Sequence, residues 1–120
     1  METPLGTAIA AYLQECFARR SPPRVDELAL RVGMHPVTLR RRVKQLFGVT
    51  ACRYLKEQQV RFACELLQGG IPVAEIVRHA GFGNARSFFR AFRRELRQTP
   101  RAYQGEFESV TGRISVPDGH

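Results

Sequence analysis

An imperfect internal repeat constrains this chain more than any other feature. From Val25 it reads VDELALRVGMHPVTLRRRVK, and from Val73 it reads VAEIVRHAGFGNARSFFRAFRR. Val25, Glu27, Leu28, Ala29, Val32 and Gly33 match Val73, Glu75, Ile76, Val77, Ala80 and Gly81 at an offset of 48. Leu39, Arg41, Val43 and Lys44 then match Phe88, Arg90, Phe92 and Arg93 at an offset of 49, so the second copy has a turn one residue longer. Each copy sets out a short amphipathic helix with acids at its start, a glycine turn and an arginine-rich helix, the layout of a helix-turn-helix. Two such units in a small basic chain point to DNA.

The chain of 120 residues is long enough for one compact domain, or for two very small subdomains sharing a helix, and can hold a real core. Its net charge of +8 attracts polyanions, and the distribution of that charge matters more than its sum. Arg40, Arg41, Arg42 and Lys44 have no acid beside them, and Arg86, Arg90, Arg93, Arg94, Arg97 and Arg101 have only Glu95. No apolar run approaches the roughly 18 residues of a membrane span, and the N-terminus lacks a basic-then-apolar signal pattern. The expectation is a cytoplasmic protein without a membrane partner. Cys16, Cys52 and Cys64 lack CxxC or CxxH spacing. They are expected to be buried or half-buried free thiols, with no metal site.

Periodicity predicts an all-α chain of about seven helices. Leu5, Ile9, Tyr12, Leu13, Cys16 and Phe17 give a first helix over 5–19, with Thr3 as cap, Pro4 in its first turn, and Arg19 and Arg20 at its C-terminal dipole. The second helix runs from about Arg24 to Val32 and ends on Gly33. His35 and Pro36 open the third, with Leu39, Val43 and Leu46 as its inward stripe. Thr50 caps a long fourth helix from Ala51 to Gln68 that leaves Arg53, Lys56 and Arg61 for water or phosphate. The fifth spans Pro72 to Ala80, with His79 as a cation at its C-terminus. Asn84 caps a sixth to about Arg97, with the stripe Phe88, Phe92 and Leu96. Thr99 and Pro100 start a last short turn containing Tyr103. The expected organisation is a first helix-turn-helix subdomain over 1–49, a linker helix over 50–68, a second subdomain over 69–104 and a tail over 105–120.

These residues resemble the DNA-binding domain of the AraC/XylS family of bacterial transcription regulators over about 5–104. The resemblance rests on LALRVGMHPVTLRRRVKQLFG, on ACELLQGG, and most specifically on VAEIVRHAGF followed by FFRAFRR and TPRAY. His35 and Pro72 stand where serine caps are usual, Gln59 where the linker helix commonly has arginine, and Ser87 where the family has an aromatic or small residue. Phe89 replaces the usual serine or threonine at the edge of the reading helix.

The resemblance implies that two recognition helices enter successive major grooves of double-stranded DNA. It places base-edge contacts at Pro36, Val37, Arg40 and Arg41 in the first, and at Ala85, Arg86, Phe89 and Arg90 in the second. Arg42, Lys44, Arg93 and Arg94 are the expected phosphate holders. Phe89 has two readings, an extension of the core stripe, which is favoured, or an apolar contact to a thymine methyl. The linker helix should hold the reading helices about 34 Å apart, one turn of DNA, so that a monomer of this chain reads an asymmetric site. The expected role is a sequence-specific transcription regulator, not an enzyme, with no cofactor. The alternative is an interaction module of the same fold that modulates another regulator or RNA polymerase without reading sequence. Some alkyl-DNA repair proteins carry a domain of this family beside a zinc-bound cysteine, but the cysteine cluster they need is missing here.

Overall fold

The computed structural model describes residues 3–105, and the expected tail lies outside them beyond Gly105. Six helices are α1 (Pro4–Arg19), α2 (Val25–Val32), α3 (Pro36–Phe47), α4 (Ala51–Gln68), α5 (Val73–His79) and α6 (Ala85–Leu96). Residues 100–105 form a seventh, α7, so the described residues are all-α with seven helices.

The ends of these helices follow from local chemistry. Thr3, Thr50 and Asn84 accept the backbone N–H groups of Gly6, Arg53 and Ser87 at 2.9, 3.2 and 2.8 Å, each tying up an otherwise orphan donor. His35 does the work of the usual serine, its Nδ1 accepting from Val37 N at 3.2 Å. Pro72 makes no side-chain cap, which fits the brevity of α5. Pro72 and Ala80, expected inside that helix, are its two flanking cap residues. Arg24 is likewise the N-cap of α2 rather than its first residue. Arg20 and Arg97 end α1 and α6 in the left-handed region, at φ 58° and 61°, where glycine is the usual occupant.

Two apolar cores result, and α4 lines both. Ile9, Tyr12, Leu28, Leu39 and Val43 pack with Ala51 and Leu55 from the first half of α4. Val60, Ala63 and Leu67 from its second half pack with Ile76, Phe88 and Phe92. A helix of 18 residues is about 27 Å long, against extents of 54 × 33 × 25 Å for the described residues. Tyr12 locks α1 to α2: its hydroxyl donates to Glu27 Oε1 at 2.7 Å and accepts from Arg24 N at 2.9 Å. Burial pushes the Tyr12 phenol well above the ordinary tyrosine value.

Further contacts, two of them made by side chains of the shared helix, also join the halves. Phe17 of α1 stacks on Phe62 at 4.3 Å. Gly81, at φ 79°, approaches the connection after α1 so closely that a Cβ there would meet Ser21 O at 2.5 Å. Gln59, where the family commonly has arginine, is buried and donates from Nε2 to Ala80 O at 3.0 Å. It satisfies a carbonyl at the C-terminal end of α5 that would otherwise be buried without a partner.

Several expected placements differ. Leu46 is 39% exposed instead of inward. The next residue turns in instead, with Phe47 stacking on Tyr54 at 4.1 Å, because α4 lies on that flank of α3. Phe89 is not in the core but 44% exposed. Ala91 is buried with Phe88 and Phe92, which rotates the inward face of α6 away from position 89. Cys52 is exposed, whereas Cys16 is buried and Cys64 is half-buried. Arg53 is exposed but also paired: Nε with Glu57 at 3.0 Å and Nη2 with Glu95 at 3.6 Å, linking α4 to α6.

Candidate nucleic-acid interface

In α3, Leu39 and Val43 face the core, so the 100° step of a helix puts the row Val37, Arg41 and Gln45 on the opposite side. All three are exposed, Val37 at 60%. Gln45 joins this row by spacing alone and was missing from the sequence-derived set. Arg40, Arg41 and Lys44 converge with Thr50, Ala51 and Cys52 on one hollow at the start of α4. There guanidinium and ammonium groups meet the positive end of a helix dipole. Arg40 leans toward α2, its Nη2 3.8 Å from Asp26 Oδ1, and Arg42 is exposed on the other flank. Pro36 is half-buried at the first position of α3.

In α6, Phe88 and Phe92 face inward, and the opposite row is Arg86, Arg90 and Arg94. These three are exposed, as are Ala85 and Arg93. Among the described residues none of Arg41, Arg42, Lys44, Arg86, Arg90, Arg93 or Arg94 is in a salt bridge. Exposed cations clustered without acids create a positive field that a polyanion relieves.

Lys56 links the two basic surfaces in a way that spacing did not reveal. Its ammonium lies 5.3 Å from the centroid of the Phe82 ring, and burial first, then the nearby Arg94 charge, hold it below the ordinary lysine value. His79, in the last turn of α5, sits 4.0 Å from Glu75 Oε1, one turn back on the same helix.

The fold and its two outward, arginine-bearing rows define a tandem helix-turn-helix domain. A family model described as a helix-turn-helix domain, of AraC type, matches residues 28–106. The HTH-type transcriptional activator RhaS of Escherichia coli O157:H7 is 33% identical over 94 residues, which cover 78% of this chain and 33% of that protein. RhaS of Klebsiella pneumoniae strain 342 gives the same values. The DNA-binding domain of AdpA, a global transcriptional factor solved in complex with a target DNA, is 28% identical with a TM-score of 0.80. That match covers 98% of this chain and all of the AdpA domain. The C-terminal domain of AraT, a response regulator from Geobacillus stearothermophilus, shares the fold with a TM-score of 0.74 at 23% identity, over 98% of this chain and 96% of that one. The chain belongs to the AraC/XylS family, and it spans about a third of the length of the curated relatives it matches.

Proposed function

We propose that this chain is a sequence-specific double-stranded DNA-binding transcription regulator that inserts α3 and α6 into successive major grooves. The observation that carries this reading is the pair of equivalent outward rows, Val37, Arg41 and Gln45 on one helix and Arg86, Arg90 and Arg94 on the other. Arginine donates two parallel hydrogen bonds to guanine O6 and N7, and the major groove admits the helix that carries it. Arg41 and Arg90 occupy matching places and are the central base readers. Val37 and Arg86 lie beside them, with Pro36, Arg40, Ala85 and Phe89 at the edges. Arg42, Lys44, Arg93 and Arg94 hold phosphates, joined by Lys56, whose charged form a nearby phosphate would favour. Arg40 also serves α2 through Asp26, so it is the most divided of the set.

A relative solved with its target DNA and relatives named as activators support an activating role. The reading places the chain in the cytoplasm, with RNA polymerase as a second partner. The chain acts as a monomer on an asymmetric site, because one chain carries both reading helices. The test is selection of fragments from random duplex DNA, followed by footprinting of the winners. Protection over about two turns on one face of the duplex, at a single asymmetric sequence, is expected. Symmetric half-sites occupied by two molecules would overturn the monomer reading, and failure to enrich any sequence would overturn DNA reading altogether.

A further inference from the structure

Among the described residues Phe89 is the one phenylalanine or tyrosine left exposed. Its ring lies beside Phe88 with centroids 5.6 Å apart. It lines a shallow hollow with Val73, Ala74 and Val77 of α5 and Ala85 of α6, together with Arg78 and Arg101. Both arginines are exposed, and neither is in a salt bridge among the described residues. The hollow is therefore apolar and flanked by unpaired cations, and Phe89 adjoins Arg90 on the same helix.

This arrangement restricts what can occupy it. A phenyl ring held half in water gains by covering an apolar group, and the apolar group that duplex DNA offers in its major groove is the 5-methyl of thymine. Cations beside the hollow suit the phosphates that flank any base there and repel a basic partner. We propose that the hollow around Phe89 receives a thymine 5-methyl group and so makes the second half of the molecule selective for thymine at one position. The inference rests on the DNA-reading role of α6 proposed above and adds the chemical group that this helix edge recognises.

The test uses the unmutated protein and its selected duplex, with each thymine replaced in turn by uracil, which removes only the methyl. Loss of one buried methyl should weaken binding about fourfold at one thymine and leave the others unchanged. Repeating the series with Phe89→Ser should abolish that uracil effect, while Phe89→Leu, which keeps an apolar contact, should retain much of it. If no thymine is sensitive, the hollow takes something other than a base, such as a protein side chain, and the proposal fails while DNA reading stands. A sensitive thymine whose effect persists in Phe89→Ser is read by another residue and overturns the proposal equally. Failure to select any duplex strikes the DNA-reading role itself.

Discussion

Arg41 and Lys44 stand three residues apart in α3, line the same hollow, and are expected to do different work. Arg41 lies on the outward row and Lys44 on the flank that meets the start of α4. A base contact confers selectivity, whereas a phosphate contact releases counterions whatever the sequence. Arg41→Ala and Arg90→Ala should each cost about 1 to 3 kcal/mol on the preferred site and relax preference at one or two positions. Lys44→Ala should weaken all duplexes alike and reduce the slope of log affinity against log salt by about one. Titrations on specific and random DNA at several salt concentrations separate the two. Three variants with identical profiles would dissolve this division of roles.

At the scale of the element, the two helix-turn-helix units look equivalent in sequence but are not equivalent in packing. Gly33 and Gly81 match in the repeat and share a left-handed backbone, at φ 71° and 79°. A Cβ on Gly33 would meet nothing within 4 Å, whereas one on Gly81 would run into the Ser21 carbonyl at 2.5 Å. Gly33→Ala should therefore cost about 1 kcal/mol of conformational strain alone. Gly81→Ala should cost about 2 to 4 kcal/mol, because backbone must move as well. Urea denaturation of the two variants measures the difference, and equal costs would mean that the segment at Ser21 yields freely. Arg97 offers the opposite case: at φ 61° after α6 it holds a conformation that glycine adopts without strain. Arg97→Gly should leave helix stability equal or raised by up to about 1 kcal/mol in the same experiment.

For the molecule as a whole, the question is whether two cores on one helix unfold together. The Phe17–Phe62 stack, the Gly81–Ser21 approach and the Gln59 bond to Ala80 all cross from one core toward the other or fix α5 to the shared helix. Small domains coupled through a common element and direct contacts unfold as a unit. Denaturation followed by one probe near Tyr12 and another near Phe92 should give coincident transitions. Separated midpoints would show that the halves behave as independent bodies, and would weaken any argument that α4 and these joints set the spacing of α3 and α6.

The sequence by itself determined the helices, most of their caps and the outward places of Arg41 and Arg90. A cap is decided within three or four residues, and an apolar stripe assigns one face of a helix without reference to its neighbours. That is why α4 is found at Ala51–Gln68, as its spacing required, and why Arg41 and Arg90 are exposed in matching places. What only the tertiary structure decided lies at the flanks and the ends of those stripes. Leu46 turned out while Phe47 turned in, and Phe89 stayed in water. Arg53 found Glu95 on another helix, and Gln59 was buried against a carbonyl 21 residues away. A residue at the edge of a stripe, or in the last turn of a helix, is buried or exposed according to which element packs beside it. That neighbour is supplied by a distant part of the chain, which local periodicity does not encode.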